Sequence, residues 1–162
     1  MVAVVSSGWI SHTALANMER QATEGYPFET GGILVGYLTE GVTVITRVIG
    51  PGPNARFDRD RFFPDSLYQE RVLASIYETS GRLYTYLGDW HTHPDGITKL
   101  SRTDRRTLRR IARTKSARIH EPIMMLLAGG PESWKAGLFR LFEPQCFWSI
   151  RRLHCLEIKV YD

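Results

Sequence analysis

The sequence predicts a single α/β domain, residues 1–162, and three observations carry that expectation. Segments with helical periodicity alternate with runs rich in β-branched residues. The 162 residues, 43% of them hydrophobic and 23% charged, can build one well-buried core but not two ordinary domains. No repeat, linker or low-complexity tract divides the chain.

Taken in order, Ser11 is placed to cap a helix running to about Glu24, because Leu15, Met18 and Ala22 recur on one helical face. Glycine and proline then break the pattern. Thr30 to Leu38 and Val42 to Ile49 read as strands joined at Glu40-Gly41, a hairpin signal. Pro51 to Arg61 is polar and interrupted by proline, which predicts an exposed loop and a candidate mobile flap. A helix is expected to open near Pro64-Asp65 and to run to about Ser80. The next strand, Leu83 to Trp90, leads into two histidines; a helix follows from Ser101 to Lys115. Ile123 to Leu127, Lys135 to Phe142 and Leu153 to Val160 are expected as closing strands.

Composition narrows the class of protein. The longest apolar run, Ile123 to Ala128, is far below the roughly 20 residues that span a bilayer. Met1 to Val5 lacks the basic start and long apolar stretch of a signal peptide, so the expected location is cytoplasmic, with no membrane partner. Cys146 and Cys155 lack C-x-x-C spacing and are expected to be buried thiols. The net charge of +4 is mostly arginine, which favours acidic or bidentate partners.

The chemistry concentrates in His91-Thr92-His93-Pro94, followed after six residues by Ser101-Arg-Thr-Asp104. In an extended segment His91 and His93 point to the same face, roughly 6.5 to 7 Å apart along the chain, and Thr92 faces away. Both imidazoles can therefore converge on one metal ion at about 2.0 to 2.1 Å per nitrogen. Ser101 and Asp104 match a capping signature at a helix start, where the positive end of the helix helps keep Asp104 ionised, as a ligand must be. Two imidazoles and a carboxylate can hold one zinc ion and leave a position for water. Either half of the pattern alone is more often a chance H-x-H or a plain helix cap.

These residues resemble the JAMM isopeptidases, also called MPN-plus or JAB domains. That family's signature is an upstream glutamate followed by H-[S/T]-H-P-x6-S-x-x-D. His91, Thr92, His93, Pro94, Ser101 and Asp104 match its fixed positions, and Glu29 in Glu-Thr-Gly-Gly-Ile-Leu-Val-Gly matches the glutamate and its glycine-rich strand. The resemblance implies a curved mixed β-sheet flanked by helices, related to the cytidine deaminase architecture. It also implies zinc-dependent hydrolysis of an amide, with Glu29 as general base and Ser101 stabilising the oxyanion. The phrases Gly50-Pro-Gly-Pro-Asn-Ala-Arg56, Phe63-Pro-Asp65 and Gly88-Asp-Trp-His-Thr-His-Pro94 are similar to bacterial JAB proteins of antiphage operons. That subgroup includes CBASS-associated isopeptidases that detach a conjugated cGAS-like nucleotidyltransferase, working beside activating and conjugating enzymes. The implied partner is accordingly a ubiquitin-like protein or a conjugated nucleotidyltransferase with its target. Eukaryotic relatives tend to carry an aromatic residue where Asp89 stands; Asp89 either orients an imidazole or is an ordinary surface aspartate.

Arg102, Arg105, Arg106, Arg109, Arg110 and Arg113 load the helix after the motif, where a helix start favours acidic residues. Pairing with Asp58, Asp60, Asp89 or Asp95, docking of an acidic protein, and nucleic acid are the three readings. Absent aromatic interleaving disfavours nucleic acid. Arg105 and Arg109 are the candidate substrate-binding residues. His12, His120 and His154 are isolated, and Trp90, Trp134, Tyr84 and Tyr86 are assigned to packing. The competing functions are processing of a sulfur-carrier protein, a non-catalytic MPN scaffold, and a zinc deaminase. The last needs H-x-E and P-C-x-x-C, which Pro144-Gln145-Cys146 does not supply.

Overall fold

A computed structural model describes residues 7–142 and 152–162. Cys146 and the Pro144-Gln145-Cys146 segment lie outside the described residues, as does Met1 to Val5. The elements are β1 (Ser7–Ser11), α1 (His12–Gly25), β2 (Gly31–Thr39), β3 (Val42–Ile49), β4 (Arg56–Phe57), β5 (Phe62–Phe63), α2 (Ser66–Thr79), β6 (Thr85–Pro94), α3 (Arg102–Arg113), a 3-10 turn (Lys115–Ala117), β7 (Ile123–Gly130), β8 (Ser133–Phe142) and β9 (Arg152–Tyr161). The mixed α/β class expected from sequence is present.

The sheet curves far enough to close. Its strand order is β1-β3-β2-β6-β7-β8-β9, and β1 pairs in parallel with both β3 and β9 to complete the ring. β6 and β7 are also parallel; β2 pairs antiparallel with β3 and with β6, and β7–β8 and β8–β9 are antiparallel. The sequence reading left β1 unassigned. Five residues with Ile10 as their one fully buried apolar side chain carry little local signal, and the partners that make them a strand lie far along the chain.

Each helix takes a defined face. Ser11 Oγ accepts the Ala14 N–H at 3.1 Å and starts α1, whose Ala14, Met18 and Ala22 are buried. They pack with Leu34, Trp90, Met125, Leu127 and Leu138 in the principal core. Side chains alternate along a strand, so the neighbours of these residues face the other way. Ile33, Val35 and Ile49 meet Val72, Leu73 and Ile76 of α2, while Met124, Leu126 and Leu141 meet Leu108 and Ala112 of α3. The outer face between α2 and α3 is where the last residues of β6 emerge. Among the described residues no helix is long and apolar enough to cross a membrane.

Two expectations are corrected. Arg56–Phe57, inside the loop expected from Pro51 to Arg61, pairs with Phe62–Phe63 just after it as a short antiparallel hairpin, with Asp58 N–H donating to Arg61 C=O at 2.8 Å. Backbone pairing supplies this order, which polar composition hides. Cys155 is exposed on β9 rather than buried, because its neighbour Leu156 takes the inward position.

Candidate metal centre

The site begins with a defect in β6. Between Leu34 and Val35 the β2–β6 register shifts, opposite Gly88. Gly88 has φ +150°, and a Cβ there would stand 1.8 Å from the Ile123 carbonyl oxygen, so only glycine fits. The shift puts Tyr86 on the same face as Asp89, and the Tyr86 hydroxyl donates to Asp89 Oδ1 at 2.7 Å. Burial raises the Asp89 carboxyl above its usual range, against the Tyr86 hydrogen bond, His91 and Arg110. Tyr86 was assigned to packing from sequence; the bulge that recruits it leaves no trace in a regular period-two reading.

Beyond the bulge, His91 and His93 share the outer face and Thr92 turns inward. Their Nε2 atoms stand 3.1 Å apart. Asp104 Oδ1 lies 3.2 Å from His91 Nε2, and Asp104 Oδ2 lies 3.6 Å from His93 Nε2; the three side chains are 11 to 17% exposed. The turn after β6 returns Ile97 C=O to His93 Nδ1 at 3.1 Å, which assigns the ring proton to Nδ1 and turns a lone pair on Nε2 toward its neighbours.

Asp104 is delivered by a reciprocal cap. Ser101 Oγ accepts the Asp104 N–H at 3.1 Å, and Asp104 Oδ2 accepts the Ser101 N–H at 2.7 Å. Burial works against the Asp104 charge, but the bonds from His91, His93 and Ser101 together hold its carboxyl below the usual range.

Glu29 approaches from the mouth of β2. Its carboxylate and the two imidazoles present ligand atoms that all lie within 4.8 Å of one another. Burial is the main influence on it and raises its pKa. Glu29 N–H donates to Asp58 C=O of the hairpin turn at 3.3 Å, and the next N–H, of Thr30, donates to the buried Thr92 Oγ1 at 3.0 Å. Gly31 faces His91 across the ladder, and a Cβ there would lie 2.7 Å from the Phe62 ring and 2.8 Å from His91 Cβ. The bare strand therefore lets Phe62 of β5 seat directly beside the site. Thr92→Val keeps the shape but orphans the Thr30 N–H, and should cost about 1–3 kcal/mol in denaturant unfolding. A change below about 0.5 kcal/mol would show that this bond does not anchor the Glu29 segment.

The donors fit one small divalent cation. The two Nε2 atoms stand 3.1 Å apart, and a carboxylate oxygen stands at a similar distance from each, a set of one nitrogen from each ring and one oxygen that suits a metal ion. Ligands held about 2.0–2.1 Å from a tetrahedral ion are about 3.3 Å from each other, which is the spacing seen. The cleft around them has a volume of about 770 Å³ and is bordered by Phe62, Thr107 and Arg110, which sequence reasoning did not place here. Of the expected acidic partners for the arginines of α3, Asp58 pairs with Arg61 at 3.4 Å, Asp95 accepts from Tyr26 and Asp89 from Tyr86. Arg109 and Arg105 stand outside this cleft's lining; Arg105 Nε reaches the Leu100 C=O at 3.5 Å.

Residues 11–138 match the family of prokaryotic homologs of the JAB domain. The chain is 42% identical over 128 residues to the probable metalloprotease y4qB of Sinorhizobium fredii, covering 78% of each protein. It is 28% identical over 107 residues to a CD-NTase/cGAS isopeptidase of Escherichia coli, spanning 65% of that relative's length. With a CD-NTase/cGAS isopeptidase of Vibrio cholerae it shares 27% over 106 residues, 65% of each chain. The solution structure of protein DSY2949 from Desulfitobacterium hafniense superposes with a TM-score of 0.68 at 16% identity, covering 96% of this chain and 93% of that one, and so shares the fold. The chain belongs to the JAB family, as one of the prokaryotic homologs of the JAB domain.

Proposed function

We propose that this chain is a zinc-dependent isopeptidase that hydrolyses the bond after the C-terminus of a ubiquitin-like or conjugated protein. The observation that carries the reading is the convergence of His91, His93 and Asp104 at 3.1 to 3.6 Å with Glu29 beside them in one cleft. His91, His93 and Asp104 hold the ion. When bound, zinc supplies Lewis acidity, polarising the scissile carbonyl and acidifying water from a pKa of 15.7 toward about 7.

The chain's own groups do the rest. Glu29, raised by burial, takes the proton of the attacking water and delivers it to the leaving amine. Ser101 Oγ already accepts the Asp104 N–H, and a hydroxyl keeps one donor hydrogen, which Ser101 turns toward the substrate carbonyl as negative charge builds on it. Ser101→Ala is expected to retain zinc and lose turnover by about 10²-fold or more; full turnover would remove Ser101 from the mechanism.

Relatives named CD-NTase/cGAS isopeptidases support a conjugated nucleotidyltransferase as substrate; the likeness of the chain's motifs to JAB proteins of antiphage operons extends the proposal to antiphage defence, beside activating and conjugating enzymes. The same reading carries a kinship of the fold with cytidine deaminases. The test is incubation of the zinc-loaded chain with a nucleotidyltransferase conjugate, with and without chelator. Chelator-sensitive release of the unmodified protein is expected, and an intact conjugate at equimolar enzyme would overturn the assignment.

A further inference from the structure

Arg106, Arg109, Arg110 and Arg113 fall at i, i+3, i+4 and i+7 on α3, and so form one stripe along the helix. All four are exposed, and with Thr114 they line a hollow of about 370 Å³. Among the described residues none of them makes an ion pair within 4.0 Å; of the four expected acidic partners, Asp58 pairs with Arg61, Asp95 accepts from Tyr26 and Asp89 accepts from Tyr86, while Asp60 borders the metal cleft. Four like charges at this spacing repel one another; Arg110 faces the Asp89 carboxylate across the metal cleft, while Arg106, Arg109 and Arg113 lie outside that cleft's lining.

Arg110 borders both the hollow and the cleft that holds His91, His93 and Asp104. From Asp104 to Arg113 the helix rises about 13 Å, nine residues at ~1.5 Å each. An extended chain covers that distance in about four residues. A polypeptide whose bond lies at the metal therefore reaches the whole stripe with the residues flanking that bond.

We infer that the arginine face of α3 docks an acidic stretch of the substrate protein, lying within about five residues of the bond that is cut. The inference rests on the isopeptidase reading for its direction from the cleft, and on charge complementarity for its occupant. Guanidinium forks suit carboxylates bidentately, and the hollow offers no aromatic ring on which a nucleic-acid base could stack. The stripe thus replaces the pair Arg105 and Arg109 as the substrate-binding surface, keeping Arg109 alone of the two.

The test is binding of two fluorescein-labelled peptides to the zinc-loaded full chain, one with four consecutive glutamates and one with four glutamines. The glutamate peptide is expected to bind at least about tenfold more tightly, with the preference fading as salt rises. Arg109→Glu with Arg113→Glu is expected to abolish the preference while zinc content and the circular dichroism spectrum stay unchanged. Arg109→Lys with Arg113→Lys should keep most of it. Equal binding of the two peptides, or a preference that survives charge reversal, would overturn the proposal. So would tighter binding of an oligothymidine than of the glutamate peptide. Failure of wild-type chain to cleave any conjugate would remove the isopeptidase reading without touching the peptide result, so the two ideas fail separately.

Discussion

Glu29→Gln is expected to leave zinc bound at one ion per chain and to slow cleavage about 10²–10⁴-fold, a barrier increase of about 2.7–5.5 kcal/mol. Glutamine keeps the size and the hydrogen-bonding reach of glutamate but cannot take a proton. The backbone bonds that hold this segment, Glu29 N–H to Asp58 C=O and Thr30 N–H to Thr92 Oγ1, do not involve the carboxylate and survive the change. The variant should therefore bind conjugate as the wild type does, making it a substrate trap. Metal analysis beside single-turnover cleavage decides the point. Wild-type cleavage by the glutamine variant would show that another group moves the proton, and loss of zinc would make Glu29 a ligand instead.

His91→Ala is expected to abolish both metal binding and activity. Its Nε2 stands 3.1 Å from His93 Nε2 and 3.2 Å from Asp104 Oδ1, so its removal breaks two of the three close contacts in the donor cluster. A site reduced to one imidazole and one carboxylate has too few protein ligands to hold zinc at ordinary concentrations. Zinc content measured after exhaustive dialysis is the readout, and a stoichiometry near one would exclude His91 as a ligand. The fold itself should persist, because His91 lies outside the principal core of Trp90, Met125 and their neighbours.

The two variants differ in kind. One keeps the ion and loses a proton carrier, the other loses the ion. Paired with Ser101→Ala, they separate holding the metal, moving the proton and stabilising charge.

Much of this was legible in the chain. The capping residue Ser11, the hairpin at Glu40-Gly41 and the parity of His91 and His93 are local features, set by side-chain hydrogen bonding, turn chemistry and the two-residue repeat of a strand. Ser101 and Asp104 are likewise a local unit, since a capping box closes within one turn. β1 was not legible, because a five-residue strand is defined by partners it meets only after folding. Nor was the β4–β5 hairpin, whose order comes from backbone pairing and a bond to Glu29 N–H rather than from apolar periodicity.

By itself, then, the sequence determined which donors exist and how each half of the site is built: an H-x-H on a strand, an S-x-x-D at a helix start and a glutamate before a bare glycine strand. Tertiary structure alone decided that these halves face one another. The Gly88 bulge brings Tyr86 onto the face of β6 that carries Asp89 and the histidines, and the Thr30–Thr92 bond draws together segments 62 residues apart. The basic stripe of α3 joins the metal cleft in the same way, through Arg110. Convergence of this kind depends on strand register and helix docking. Those are fixed by long-range burial and pairing, which no short motif encodes.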